Sequence, residues 1–140
     1  AYCLMPHTLH LVAGAPAERM PGILRDFKGF TARRLLHLIS VNDHDPRRRR
    51  FEAGFSFFGG RNPHNQYRQF WIQREREGHM LRGPAAILQA ITEVHYAPIG
   101  AGMVREPSHY AWSSAAPGAH VVPDAIEPWR FPPGEGGPSP

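Results

Sequence analysis

Short apolar runs separated by a turn-like tripeptide open the chain. Residues 2–5 are apolar, residues 6–8 are turn-like, and residues 9–13 are apolar again. Short runs bounded by turn residues are typical of strands, and a proline within such a region belongs at an edge or a corner. The pattern predicts two short strands around a tight corner, or one bent strand, followed by a loop over residues 14–21.

A helical period follows this loop. Over residues 22–40 the apolar side chains recur at three- and four-residue steps and fall within one broad face at about 100° per residue. That face comprises Ile23, Phe27, Phe30, Leu35 and Leu38. Arg25 and Arg33 lie on the opposite side and Lys28 at a flank. Arg34 falls within the apolar stripe, so its guanidinium must reach past the stripe to water or meet a charged group.

The middle of the chain alternates polar stretches with aromatic ones. Residues 42–50 and 61–66 are polar and contain turn residues, which predicts loops. Residues 51–58 are aromatic and precede a pair of glycines, a composition that leaves helix and strand both open. Residues 69–73 contain two adjacent aromatic side chains in a short run, which predicts a strand.

A second helix is predicted from residue 83 to about residue 97. Proline suits the first helical turn, so Gly83 and Pro84 open it, and Pro98 is expected to end it. Its buried stripe is Ile87, Ile91 and Val94, with Gln89, Glu93, Tyr96 and Ala97 on the other side. Residues 110–114 are expected to pack back on the core. From residue 116 to 140, eleven of twenty-five residues are proline or glycine, which predicts a poorly ordered tail.

Composition narrows the class of protein. The 140 residues suffice for one domain, and 41% of them are hydrophobic, which is enough to build a core. The single cysteine, Cys3, excludes an internal disulfide and a cysteine-based zinc site. The sequence contains no apolar run of membrane-spanning length and no visible secretory signal. We therefore expect a cytoplasmic protein without a membrane partner.

The charge balance favours a nucleic-acid partner. Sixteen Lys+Arg against twelve Asp+Glu give a formal charge of +4, and Lys28 is the only lysine. The arginine fork binds phosphate through two hydrogen bonds, so an arginine excess fits a phosphate backbone. Abundant proline, glycine and alanine beside the arginine also fit GC-rich coding bias, and composition leaves both explanations open.

Five segments resemble, in order along the chain, the motifs of one protein family. Residues 2–12 are similar to its YCLMPNHVHLL segment, residues 25–31 to its RDFKKFT helix and residues 69–73 to its QFWQQ. Residues 94–104 resemble its YIHNNPVKAGIV without the leading tyrosine, and residues 110–115 resemble its YLYSSA. On these motifs the chain is identified as a member of the REP-associated tyrosine transposases, which belong to the single-tyrosine HUH transposases.

The resemblance implies a fold and a reaction. Family members fold as a ferredoxin-like two-layer α+β domain, an antiparallel sheet with helices on one face. They cut and rejoin single-stranded DNA beside hairpins, usually as dimers. Two histidines hold a divalent ion, Mg²⁺ or Mn²⁺, that polarises the scissile phosphate, and a helix-borne tyrosine attacks it to form a 5′-phosphotyrosine link. Residues 1–115 would form this domain without its first strand and helix, as in a fragment, and residues 116–140 the tail.

The positions that the resemblance assigns to the chemistry carry altered side chains. The family's two metal histidines align with Thr8 and His10, its nucleophilic tyrosine with Glu93 and its later polar residue with Ala97. Glutamate cannot readily provide a phosphotyrosine intermediate. We therefore expect His10 to be the surviving metal ligand, and no residue is assigned as catalytic.

Two residues are candidates to replace what is missing. His7 could substitute for the first metal histidine if the strand contained a bulge, because residues 8 and 10 otherwise share a face and residue 7 does not. Tyr96 could substitute as attacker, since it lies about 60° around the helix from the nucleophile position. His79 and His95 are interpreted as packing or surface residues.

Candidate DNA contacts lie on the first helix. We expect the basic residues of this helix to bind DNA phosphates: Arg25, Lys28, Arg33 and Arg34. The arginine run at residues 47–50 leaves two interpretations open, a contact with the DNA backbone or a solvated loop. The aromatic pair at residues 70–71 would stack on unpaired bases or belong to the core. We expect a transposase-like protein with impaired single-strand cleavage. The alternatives are a non-catalytic binder of hairpin or single-stranded DNA, and a decayed reading frame.

Overall fold

The computed structural model describes residues 1–16, 18–62, 67–72 and 78–119. They form a mixed α+β protein that packs into two compact units, one joining Ala1–Ala13 with Met80–Pro140 and the other spanning Gly14–His79. Among the helices described, none combines the length and apolar character needed to cross a membrane. From residue 120 onward the predicted tail lies outside the described residues.

The first unit begins with the predicted pair of strands. β1 (Tyr2–Leu4) and β2 (Leu9–Leu11) pair antiparallel, with Cys3 opposite His10. The N–H of Met5 donates to the carbonyl of Thr8 (2.8 Å), which closes the corner. The prediction of two short strands is therefore confirmed.

The C-terminal part of the same unit pairs with the outer edge of β1. The N–H of Leu4 donates to the carbonyl of Trp112 (2.8 Å), and that of Ser114 donates to the carbonyl of Tyr2 (2.9 Å). Cys3 forms an isolated bridge with Ser113, and both side chains are fully buried. This pairing confirms that residues 110–114 pack back on the core.

The helix α3 (Gly83–Gly100) packs on β1 and runs through Pro98, so its predicted end before this proline is wrong. Pro98 is fully buried, and burial offsets the backbone hydrogen bond that proline cannot donate. The helix ends instead at Gly100, and Gly102, with a positive φ of 68°, closes a Schellman motif two residues later. There the N–H of Gly102 donates to Ile99 (2.8 Å) and that of Met103 to Pro98 (2.9 Å).

The second unit contains two packed helices, α1 (Met20–Val41) and α2 (Arg48–Gly59). The first confirms the predicted helix, and the second resolves the ambiguity of residues 51–58 and shortens the predicted loop before them. A strand at residues 69–72 is wrong, and residue 73 lies outside the described residues. In the described part of this unit, no strand pairs with residues 69–72. The side-chain amide of Gln69 donates instead to the backbone carbonyl of Trp71, two residues later (2.8 Å).

An aromatic cluster holds this unit together. The centroid of the Trp71 ring lies 6.0 Å from that of Phe27 in α1 and 5.3 Å from that of Phe70. The centroid of the Phe70 ring lies in turn 5.5 Å from that of Phe55 in α2. The Trp71 indole Nε1–H donates to the Thr31 hydroxyl (3.0 Å). Of the two roles open to Phe70 and Trp71, the structure therefore supports packing.

Candidate nucleic-acid interface

The residues that the resemblance assigns to catalysis lie in the first unit. His10 is half-buried on β2, and side chains directly opposite in an antiparallel pair share a face, so it lies on the face of the buried Cys3. Thr8 is exposed at the end of the corner. On α3, Glu93 and Tyr96 are exposed and Ala97 is half-buried.

The side chains present do not fit a divalent ion. Among the described residues, no group of three His, Cys, Asp or Glu side chains is placed to hold a metal. His10 contributes one imidazole, whereas Mg²⁺ prefers carboxylate and phosphate oxygens, so this side chain alone holds such an ion poorly. The Glu93 carboxylate accepts a hydrogen bond from the Gln89 amide one turn earlier (2.9 Å). His10 as a metal ligand therefore stays a prediction.

His7 lies in the corner between the two strands and is exposed. The register runs through Leu4–Leu9, Cys3–His10 and Tyr2–Leu11 without an extra residue. A bulge that would turn His7 onto the face of His10 is therefore absent from this described hairpin.

A hydrogen-bonded tie that sequence reasoning did not find joins α3 to both ends of the unit. His95 Nε2 lies 2.9 Å from the Ser114 hydroxyl, which also accepts the N–H of Tyr2 (2.9 Å). Burial, and then the positive amino terminus, lower the pKa of His95. The neutral imidazole is therefore favoured. No sequence spacing signals this tie, because its three residues come from distant parts of the chain.

The basic residues predicted on α1 do not share one face. Arg25 pairs with Asp26 (3.1 Å), and Lys28 is half-buried. At 100° per residue Arg25 lies about 180° from Arg34 around the helix, and Lys28 about 120° from it. The structure therefore separates Arg25 and Lys28 from Arg34.

Arg33 and Arg34 instead meet two side chains that sequence reasoning did not assign to binding. Phe30 and His37 line an open depression of about 260 Å³ together with both arginines. The four residues follow helical steps of three, one and three, so they form one stripe, called here the α1 stripe. Within the described part of the chain neither arginine pairs with an acidic side chain.

Phe30, a member of the predicted apolar face of α1, is 64% exposed. Ile23, Phe27, Leu35 and Leu38 of the same predicted stripe are also more than one-third exposed. The physical reason is that α1 packs along Thr31 and Phe27, which face Trp71, rather than along Phe30. An exposed ring between two guanidiniums can stack on an unpaired base while the cations bind phosphate.

Comparison of the chain with protein-family models, with curated proteins and with solved structures finds no match.

Proposed function

We propose that this chain is a transposase-like protein that binds single-stranded or hairpin DNA and whose strand-cleavage chemistry is impaired. The observation that carries the binding part is the α1 stripe, where Phe30, Arg33, Arg34 and His37 form one exposed surface. Two guanidiniums that have no acidic partner among the described residues supply phosphate contacts, and the ring supplies a stacking platform.

The impaired chemistry rests on three side chains. Glu93 stands where the family's nucleophilic tyrosine is expected, and Thr8 and Ala97 replace a metal histidine and a polar residue. A carboxylate in place of the phenol removes the group that would hold the 5′-phosphate covalently. The proposed function includes no metal-dependent step, because the His10 imidazole alone does not form a metal site.

The finer features of the fold belong to the same proposal. The β1–β2 hairpin, the segment that pairs with β1, and α3 are compatible with part of a ferredoxin-like two-layer sandwich. A homodimer, a cytoplasmic location at the nucleoid and a Mg²⁺ or Mn²⁺ ion in an active ancestor follow from the family resemblance.

Binding is tested by fluorescence anisotropy with a labelled DNA hairpin that carries a single-stranded flank. The double variant Arg33→Gln/Arg34→Gln should weaken binding about tenfold or more, because one charge-assisted hydrogen bond contributes about 1.5–3 kcal/mol. Its salt dependence between about 50 and 200 mM should also flatten. The matched control is Arg25→Gln, an exposed arginine that pairs with Asp26 and lies about 12 Å along α1 from Arg33, and it should bind almost as the unmodified chain does. Equal losses in both variants would remove the α1 stripe from the proposal.

Impaired cleavage is tested by incubating the same hairpin with Mg²⁺ or Mn²⁺ and resolving covalent adducts on a denaturing gel. The unmodified chain should give no protein–DNA band. The triple reversion Thr8→His/Glu93→Tyr/Ala97→Asn restores the expected side chains and runs beside it. A covalent band from the unmodified chain would refute the impairment and would make Tyr96 the first residue to substitute.

A further inference from the structure

The two faces of α2 differ sharply. Its packed face holds half-buried or buried residues at steps of four, three and four: Arg48, Glu52, Phe55 and Gly59. Phe55 contacts Phe70, and its carbonyl accepts the N–H of Gln69 (2.9 Å). Gly59 lies so close to the backbone of Arg68 that an added Cβ would approach its nitrogen to 2.6 Å. This face is therefore fully committed to packing within the unit.

A second face, which α2 shares with the residues that flank it, carries mainly arginine and phenylalanine. Its residues follow steps of three, one, three, three, one and three, and six of the seven are exposed: Arg47, Arg50, Phe51, Gly54, Phe57, Phe58 and Arg61. At 1.5 Å per residue this surface, called here the α2 stripe, extends about 21 Å. Phe57 and Phe58 are 51% and 50% exposed, although phenylalanine is ordinarily buried.

The arginines of the α2 stripe stack on its rings. The guanidinium of Arg61 lies 3.9 Å from the centroid of Phe57, and that of Arg47 lies 5.5 Å from Phe51. Phe57 meets Phe58 edge to face, with centroids 5.4 Å apart. Stacking orders these side chains in the free protein, so less conformational entropy is lost when a planar ligand joins them.

The charges identify the kind of ligand. Arg47 is paired with Asp45 (3.0 Å), but Arg50 and Arg61 have no acidic partner within the described residues. A protein partner for exposed phenylalanines would need only apolar surface. The Phe57 ring is instead capped by Arg61, which has no acidic partner among the described residues, and such a pair fits a base and its neighbouring phosphate.

We propose that the α2 stripe is a second nucleic-acid contact, which stacks unpaired bases on Phe57, Phe58 and the Arg61 guanidinium while Arg50 binds the backbone. Gly54 leaves a gap in the middle of the stripe, because an added Cβ there meets no atom within 4 Å. The inference rests on the proposed function in taking DNA as the polymer, and it adds that single strands are preferred to duplex.

The test compares anisotropy of a single-stranded oligothymidine of about 15 nucleotides with that of a duplex of equal length. Phe57→Leu/Phe58→Leu keeps apolar side chains but removes both rings, and it should weaken single-strand binding about tenfold while duplex binding changes little. Gly54→Tyr adds a ring to the gap and should strengthen single-strand binding several-fold. Gly54→Ala is its matched control and should leave binding unchanged. Far-UV circular dichroism establishes that each variant is folded.

The outcomes separate this inference from the proposed function. Loss of single-strand binding in the ring variant, with a gain in Gly54→Tyr, supports the α2 stripe. Loss only in Arg33→Gln/Arg34→Gln, with no effect of the ring changes, overturns the α2 stripe and leaves the proposed function standing. A dimer in sedimentation that the ring variant abolishes, without an effect on DNA binding, also overturns it. Failure of the unmodified chain to bind any DNA refutes the proposed function itself.

Discussion

Replacing Gly59 by alanine should destabilise the Gly14–His79 unit, whereas the same replacement at Gly54 should stabilise it. A Cβ on Gly59 would lie 2.6 Å from the nitrogen of Arg68 and 2.7 Å from its Cα and from the carbonyl carbon of Tyr67. Ordinary contacts of a Cβ begin near 3.4 Å, so the overlap is about 0.8 Å. All three atoms belong to the backbone, and a rotamer change cannot relieve it.

The magnitude follows from two opposing effects. Overpacking of this kind costs about 1–3 kcal/mol, and the helical preference of alanine over glycine returns at most about 0.5–1 kcal/mol. Gly54→Ala gains the second effect without the first, because its Cβ enters open space. The two variants should therefore differ by about 2 kcal/mol in free energy of unfolding, with Gly59→Ala the less stable.

Urea titration monitored by circular dichroism measures this difference as a shift of the unfolding midpoint at constant slope. Tryptophan fluorescence adds a local signal, since Trp71 lies beside Phe70 in the segment that an alanine at Gly59 would displace. Equal midpoints for Gly59→Ala and Gly54→Ala would refute the close approach of α2 to residues 67–68.

Two further predictions concern the first unit. Gly102→Ala should lower the free energy of unfolding of this unit by about 1–2 kcal/mol, because the Schellman motif holds residue 102 at a positive φ. Gly100→Ala, at the last residue of α3, is the control and should not lower it. Urea titration compares the unfolding midpoints of the two variants. Burial lowers the pKa of His95, so the unfolded chain takes up a proton more readily than the folded one. Stability should be full above the ordinary imidazole value of 6.5 and fall as the pH drops from there through the lowered folded-state pKa. His95→Gln should flatten this dependence between about pH 7.5 and pH 5, and an unchanged profile would contradict it.

Local signals in the sequence were sufficient for several elements of the fold. The hairpin and the start of α3 follow from apolar runs bounded by prolines and glycines, and α1 follows from its period. The end of α3 does not follow from local signals. The hydrogen bond that Pro98 cannot donate is visible in the sequence, whereas its burial and the turn at Gly102 are properties of the folded unit. Residues 51–58 remained ambiguous since phenylalanine favours strands, and only the full Arg–Phe spacing through Arg61 reveals a helix.

The candidate interface was predictable only in part, because the spacing of side chains along a helix does not show which of them a partner covers. Two of the four basic residues chosen on α1, Arg33 and Arg34, line one depression, although the period groups Arg33 with Arg25 and places only Arg34 opposite Arg25. Phe30 belongs to the apolar face that helical spacing predicts, and such a face usually packs against a partner. Which part of an apolar stripe is covered depends on where the partner packs, and here Trp71 covers the side of Phe27 and Thr31.

The proposed binding residues and the positions that align with the family's cleavage residues lie in different units of the chain. The α1 and α2 stripes lie entirely within Gly14–His79, whereas Thr8, Glu93 and Ala97 all lie in the other unit. The two sets share no residue, so the altered side chains at Thr8, Glu93 and Ala97 remove none of the arginine or phenylalanine side chains of the stripes. A chain of this kind can lose its nucleophile and still hold a single strand. The gel assay and the anisotropy assay therefore interrogate separate properties, and a negative result in the first has no bearing on the second.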